Sequence, residues 1–464
     1  MSSALPEIIW YPTTVRGWRN CRVKSAIESF DAGVWGDDPY DNNSATPVIR
    51  SNEIDESGEW RVTTPALRLL SPQEQKRARL LQGDLLIVKS SGSRTHIGKT
   101  AVVTSEIEYL GSCFSNFTGR LRVNYLKTCS RFLWYFLNNS PGRDQLFYQG
   151  TTTTGLINLS ATSVGCARFC SPPLAEQQRI ATYLDASCAA IDAAVAAKRR
   201  QIETLDGVRR DIVQKAVTRG LEEHPTLKQT GNVWLKEIPC TWELVSLKRM
   251  SEIQTGLTLG KIYEGPLIER PYLRVANVQD GHLTLEDVTT IEVPVEVARR
   301  VELRPGDVLM TEGGDLDKLG RGTIWSGEIP DCLHQNHIFA IRCFKHKLVP
   351  AFLAYLTASR YGRDYFEATG KRTTNLASTN STKVGLFPIP RPSIAEQRAI
   401  CQFLDVKLNQ ITQIVNGIES QIATLTSYRK SLIYECVTGQ RRITESDVQR
   451  AAAQRKFDNL ALTG

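Results

Sequence analysis

LDVKLNQITQIVNGIESQIATLTSYRKSLIYEC, residues 404–436, decides how the chain is to be read. Apolar residues fall at Leu404, Leu408, Ile411, Val415, Ile418, Ile422, Leu425, Leu432 and Cys436. The steps alternate between four and three. That is the pattern of a helix that buries one narrow stripe against a partner helix. Arg429 alone interrupts it. A second stretch follows the same rule at Leu184, Cys188, Ile191, Val195, Ile202, Leu205, Ile212 and Ala216, interrupted by Lys198 and Arg209. Polar residues at such positions cost stability and fix register. Both helices have marked starts: Ser393-Ile394-Ala395-Glu396 fits a capping box, and Pro172-Pro173 precedes the first copy. Two long, narrow, similar stripes predict an antiparallel coiled coil.

Working outward, the helices belong to a duplication. Residues 132–220 align with 352–440 at a constant shift of 220, without a gap, and 29 of the 89 positions are identical. Phe132-Leu133-Trp134-Tyr135 matches Phe352-Leu353-Ala354-Tyr355. Gly142-Arg143-Asp144, Thr153-Thr154, Val164-Gly165, Ala175-Glu176-Gln177 and Leu184-Asp185 recur 220 residues on. Upstream, Gly83-Asp84-Leu85-Leu86 resembles Gly306-Asp307-Val308-Leu309. Ile97-Gly98-Lys99 resembles Leu319-Gly320-Arg321, and Trp18 corresponds to Trp242. A unit of about 220 residues is therefore written twice. Within it, a mixed region with short β-rich runs, such as Tyr272–Val278 and His337–Arg342, precedes the helix.

The expected class is α+β, with two mixed α/β domains separated by two long helices paired as an antiparallel coiled coil, related by pseudo-twofold symmetry. The expected boundaries are 1–170 for the first domain, 171–220 for its helix, 221–240 for a polar linker, 241–390 for the second domain, 391–440 for its helix and 441–464 for a loosely held tail. A helix of about 30 residues is about 45 Å long, against about 34–36 Å for one turn of DNA. Two unlike heads on such a rod suit a split, asymmetric site.

The 464 residues carry a net charge of +8, which suits a polyanionic partner without proving one. No apolar run approaches the roughly 18 residues of a membrane span. Met1–Trp10 lacks the regions of a signal peptide. A soluble cytoplasmic protein is expected. The eleven cysteines are scattered with no CxxC pair, and are read as small apolar residues.

The order of domains, with helices opening on Leu174-Ala175-Glu176-Gln177-Gln178-Arg179-Ile180 and Ile394-Ala395-Glu396-Gln397-Arg398, resembles the specificity subunit of type I restriction-modification enzymes. Trp234–Pro239, Tyr272–Val278 with Gln279-Asp280-Gly281, and Asn336-His337-Ile338-Phe339 are similar to that family's second recognition domain. The resemblance covers nearly the whole chain and is weakest in the first 70 residues. It implies two target-recognition domains, each reading half of a bipartite double-stranded DNA site. It also implies helical regions that set the spacer and bind two methyltransferase subunits, with two motor-nuclease subunits added. S-adenosylmethionine, ATP and Mg2+ would enter through those partners; no cofactor or metal is expected in this chain.

Motifs for chemistry of its own fail. Ser93–Thr100 is one glycine short of a phosphate-binding loop, and Ala101–Tyr109 after it reads as a strand rather than a helix. Asp37-Asp38-Pro39-Tyr40 lacks a proline of the adenine-methyltransferase motif and has no glycine-rich cofactor loop. Cys332, His334, His337 and Cys343 match no common zinc spacing. Asp405-Val406-Lys407 has the look of a nuclease Asp-x-Lys but lies on the coiled-coil helix. The expected role is non-catalytic. The rival readings are the recognition part of a fused restriction-methyltransferase, and a coiled-coil scaffold that does not touch DNA.

Base reading needs Arg, Lys, Asn, Gln, Ser or Thr on a rigid frame; phosphate contacts need Lys, Arg and backbone amides. Lys89, Ser90 and Arg94 offer both in the first domain. In the second, Lys371, Arg372, Thr373 and Thr374 are the counterparts of Thr151–Thr154, so Thr153 and Thr154 share their job, either a phosphate contact or a structural turn. Lys99 and Arg321 are read as matched phosphate contacts, and Arg274, Asn277 and Lys318 as further DNA contacts.

Overall fold

The computed structural model describes residues 15–39, 45–62, 64–153, 155–314, 319–320, 322–372 and 377–461. The chain divides into two units, Met1–Lys198 with Ser420–Gly464, and Arg199–Glu419. The division falls inside both long helices, α1 (Leu174–Arg219) and α2 (Ile394–Val437). Each unit therefore holds one mixed domain and a piece of each helix.

In the first unit, an antiparallel four-stranded sheet runs in the order Ile27–Ala32, Thr118–Val123, Leu85–Val88, Thr100–Val102. The second unit repeats it with Ser251–Thr255, Ile338–Cys343, Val308–Thr311 and Gly322–Ile324. The Leu-Leu-Ile-Val run is apolar throughout because both its faces are covered. Leu85 and Ile87 face the core that contains Leu184, whereas Leu86 and Val88 face a second core around Phe114. A three-stranded sheet lies beside it in each unit. Thr46–Ile49 pairs with Ala66–Arg68 and, in parallel, with Cys113–Phe114; Ile268–Leu273 pairs likewise with Thr289–Val293 and Leu333–His334. The duplication thus reaches into the first 70 residues.

The repeated short motifs are fasteners. Gln177 is fully buried; its Oε1 accepts from the Cys129 N–H, and its Nε2 donates to the carbonyls of Lys127 and Pro172. Gln397 makes the same three bonds with Val349, Lys347 and Pro392. Asp185 accepts from the Tyr135 hydroxyl at 2.7 Å, and Asp405 accepts from Tyr355. Asp84 and Asp307, both buried, each accept two bonds from one arginine, Arg122 and Arg342, at 2.7–3.0 Å. A Cβ on Gly142 or Gly362 would meet a backbone carbonyl at 2.3 or 2.5 Å, so only glycine fits.

The two helices pack antiparallel, and the stripes are their least exposed positions. Leu184, Ile191, Leu404 and Ile411 are buried; Val195, Ile202, Leu205, Val415, Ile422 and Leu425 are half-buried. Each polar interruption has a partner on the other helix. Arg429 pairs with Asp192 at 3.0 Å, Lys198 donates to Gln421 at 2.5 Å, and Arg209 to Thr412 at 3.3 Å. The helices stop at Gly220 and Gly439, both at positive φ, where glycine pays no steric cost. By length and composition α1 can cross a membrane, because its alanines lengthen the apolar window beyond the sequence expectation. Its Ile180, Leu184, Cys188 and Ile191 are buried in the first unit's core.

Two segments are more ordered than expected. In the expected linker, Leu227–Gln229 and Glu237–Pro239 form a hairpin that buries Leu235 and Ile238 and sets Trp234 against Tyr365. In the expected loose tail, Ile443 is buried and its carbonyl accepts from Arg179, while Arg442 pairs with Glu176 at 2.9 Å. The chain then forms α3 (Glu445–Ala461), whose Val448 and Ala451 pack on the same core. All eleven cysteines are free thiols, and burial pushes Cys188 up to about 11 and Cys401 and Cys436 up to about 12.

Removing Gln177 or Gln397 strands one buried backbone N–H and two carbonyls. Gln177→Ala and Gln397→Ala should each destabilise their unit by about 2–4 kcal/mol, read as a fall in the urea midpoint of the full chain. A shift below about 0.5 kcal/mol would contradict the fastener role.

Candidate nucleic-acid interface

In the first unit the chain leaves the buried strand Leu85–Val88 at Lys89. The N–H groups of Lys89 and Ser90 donate to the Phe117 carbonyl at 3.0 and 3.2 Å. Ser90–Ser91 then pairs antiparallel with Leu156–Asn158, and that strand with Thr151–Thr153. The Ser90 hydroxyl donates to Asn158 Oδ1 at 2.6 Å. Two segments some 60 residues apart in sequence, each nominated for DNA contact, are thereby joined in one short three-stranded ribbon. Thr151 and Thr152 on it are exposed. Arg94 follows in the adjoining turn with its guanidinium 4.3 Å above the Phe147 ring, and Arg143 donates to the Thr95 carbonyl at 2.6 Å.

The second unit builds the same ribbon from Gly313–Gly314, Ala377–Ser378 and Lys371–Arg372. Lys371 is exposed on it. Thr153 and Arg372 lie on ribbon strands. Thr154, Lys318, Arg321, Thr373 and Thr374 fall outside the described residues.

Three nominated residues are engaged in the frame. Lys99 is buried, and its ammonium donates to the Ile54 carbonyl at 2.5 Å, so it is not held out as a phosphate contact. Burial lowers its pKa. Asn277 is also buried and caps the turn after Ile268–Leu273. Its Oδ1 accepts from the Arg274 N–H at 2.8 Å, and its Nδ2 donates to the Thr284 carbonyl at 2.9 Å. Arg274, partly exposed, pairs with Asp287 at 2.9 Å. Arg50 and Glu53 form the same turn in the first unit, the Glu53 carboxylate accepting from the Arg50 N–H at 2.6 Å. Asn277 and Arg274 thus shape the frame rather than present a free reading edge. Of the false motifs, Asp38 pairs with Arg68; the stretch 101–109, expected as a strand, is strand only to Val102, and Ser105–Tyr109 is a short helix capped by the Thr104 hydroxyl.

Other groups beside the ribbon escaped the sequence. In the first unit a cleft of about 560 Å³ is lined by Ser51, Asn52, Arg61, Ser91 and His96. Another, of about 340 Å³, shares Ser51 and Asn52 and reaches Trp35, Arg50 and Phe117. Arg68 sits 4.0 Å over the Trp35 ring. Such a mixture of flat rings, guanidinium groups and amides offers stacking, phosphate and hydrogen-bonding contacts in one place. The shift between the copies drifts from 224 to 220 through this region, and that hid it.

No family model matches the chain. In sequence it is 23% identical to the type I restriction enzyme EcoKI specificity subunit of Escherichia coli K12, over 86% of this chain and 83% of that subunit. In fold it matches the HsdS subunit of Thermoanaerobacter tengcongensis with a TM-score of 0.54 at 18% identity, over 92% of this chain and 98% of that one. It matches a chain of a structure describing complex assembly and conformational transition of the type I R-M system with a TM-score of 0.68 at 18% identity, over 92% of this chain and 99% of that one. These likenesses are to specificity subunits of type I restriction-modification enzymes in sequence, and to chains of such systems in fold.

His334 marks where the two frames have drifted apart. It is buried on the strand equivalent to that of Phe114, and neither ring nitrogen has a hydrogen-bond partner among the described residues. Burial, helped by the charge of Arg342, pushes it down to about 4. The unfolded ring titrates near 6.5, so the folded state takes up fewer protons between these values. Stability is therefore full above about pH 6.5 and falls by about 3 kcal/mol as pH drops towards 4. His334→Phe should remove that loss. Thermal unfolding at pH 7.5 and 4.5 checks this: an equal pH dependence in both proteins would refute it.

Proposed function

We propose that this chain reads a bipartite, asymmetric site in double-stranded DNA for a type I restriction-modification complex. The observation that carries the reading is the ribbon. Each unit offers a short three-stranded ribbon carrying hydroxyl or basic side chains on a rigid sheet. Two adjacent strands of each ribbon, Thr151–Thr153 with Leu156–Asn158 and Lys371–Arg372 with Ala377–Ser378, form a two-stranded unit of the kind the major groove admits, where each base pair shows a distinct pattern of donors and acceptors. Lys89, Ser90, Arg94, Thr153, Lys371 and Arg372 are the contacts expected from it. The net charge of +8 supplies attraction to phosphate.

In this reading the chain performs no chemistry. Two methyltransferase subunits bring S-adenosylmethionine and modify adenine, and two motor-nuclease subunits use ATP and Mg2+. The paired helices hold the heads and dock the methyltransferases, and the setting is the cytoplasm. The antiparallel helices act as the ruler between half-sites.

Deleting the chain from its host should abolish methylation of one split adenine motif, read by genome-wide mapping of methylated adenine. An unchanged methylome with an active partner methyltransferase would overturn the reading. DNA binding by the assembled complex should also weaken by ten-fold or more between 50 and 200 mM salt, a change on the order expected for several released counterions. Deleting one heptad from both helices removes about 10 Å of rise, about three base pairs. The methylated motif should lose spacer length and keep both half-sites; altered half-sites would show that the helices are not the ruler.

A further inference from the structure

One pair of positions holds the same place in both frames and carries opposite chemistry. In the first unit the Phe117 carbonyl accepts from the Lys89 N–H at 3.0 Å, and the Lys89 carbonyl accepts from the Leu159 N–H at 2.7 Å. In the second, the His337 carbonyl accepts from the Glu312 N–H at 2.8 Å, and the Glu312 carbonyl accepts from the Thr379 N–H at 2.7 Å. Lys89 thus corresponds to Glu312, Phe117 to His337, and Leu159 to Thr379. Both sets stand where the buried central strand passes into the ribbon. The surrounding frame is kept. Asn116 and Asn336 precede the variable pair, and Gly33 and Gly256 pack so closely on the preceding backbone that a Cβ would meet a carbonyl at 2.1 or 2.0 Å.

The side chains at this bracket differ in sign and in hydrogen-bonding sense. Lys89 is a donor only. Glu312 is an acceptor only, and its Oε2 lies 2.6 Å from His337 Nδ1. The Glu312 side chain is 30% exposed and that of His337 53%. A carboxylate on a surface that meets phosphate is unfavourable unless it meets a donor. In the major groove the donors are the exocyclic amines of cytosine and adenine. A lysine at the same place meets acceptors, of which guanine O6 and N7 are the strongest pair. His337 holds the carboxylate in one orientation and leaves it further acceptor capacity.

We infer that Glu312, oriented by His337, is a specificity-determining residue of the second head, selecting cytosine or adenine by the exocyclic amine each presents in the major groove, and that Lys89 holds the equivalent place in the first head, selecting guanine. This rests on the DNA-reading role proposed above. Glu312 excludes wrong bases through repulsion as well as attraction, since a base edge with only acceptors leaves its charge unpaired.

The test uses the full chain assembled with its methyltransferase subunits, with methylated adenine mapped on a random-sequence DNA library. Glu312→Gln should lose about ten-fold or more discrimination at one position of the second half-site, leaving the first half-site and the spacer as in wild type. Lys89→Gln should act on the first half-site alone. Should Glu312→Gln fail to assemble, Glu312→Asp, which keeps the acceptor, is the second variant, and it should keep the wild-type base preference. Unchanged preference in Glu312→Gln, changed preference in Glu312→Asp, or an equal change in both half-sites overturns the inference. A wild-type complex that methylates no split motif would instead remove the DNA-reading role itself.

Discussion

Each unit closes its core with the far end of the other copy's helix, and the rest of the structure depends on that exchange. In the first unit Leu432, Ile433, Cys436 and Val437 from the end of α2 pack with Ile180, Leu184 and Cys188 from the start of α1. In the second unit Val213, Ala216 and Val217 from the end of α1 pack with Ile400, Cys401 and Leu404 from the start of α2. Burying a side chain of this size contributes about 1.5–3 kcal/mol. A helix that stopped early would leave one core open by several such residues. The Gly220 and Gly439 stops follow. A Cβ at Gly220 would press on Trp242, and one at Gly439 on Val15 and Trp18, so each tryptophan seals the end of the incoming helix. Register is held by pairs rather than by apolar area alone. A slip by one heptad would keep leucines facing isoleucines but would separate Arg429 from Asp192 and Lys198 from Gln421.

The same economy divides the mixed domains into fixed and free positions. Gln177, Asp84, Asp185, Gly142 and their counterparts are buried among backbone groups, where a changed side chain leaves an unpaired donor or charge costing roughly 1–3 kcal/mol or more. The ribbon and the bracket at its base satisfy their backbone with main-chain bonds, leaving side chains there to differ at little cost. This explains how Lys89 and Phe117 stand in one copy where Glu312 and His337 stand in the other, each pair held by the same two main-chain bonds.

What could be read from the sequence follows from the range of each interaction. The helices were legible because a heptad repeats locally, and even the interruptions at Lys198, Arg209 and Arg429 are now explained by cross-helix partners. The duplication was legible over 132–220 because its shift is constant. Upstream, insertions move the shift, so the equivalence of Arg50 with Arg274 emerges only from strand pairing, while Phe114 and His334, still 220 apart, share no side-chain chemistry that would announce theirs. The ribbon joins residue 90 to 158, a pairing no local pattern announces, although both of its segments had been singled out by composition. Lys99 and Asn277 were misread for one reason: a polar side chain looks the same in sequence whether it faces solvent or a buried carbonyl. The tail was misread because Ile443, Val448 and Ala451 are sparse among charges, yet they land on an existing core.

In the proposed reading, the duplication also bears on the shape of the DNA target. Two copies of one frame, each with its ribbon in the same place, would demand a palindrome if their reading side chains agreed. They do not agree: serines and threonines line the first ribbon, while glycines and a lysine-arginine pair line the second. In the reading inferred above, Lys89 offers a donor in one head and Glu312 an acceptor in the other. A repeated frame with unlike readers suits unlike half-sites, so in the proposed reading the asymmetry of the site follows from side-chain divergence on a retained backbone.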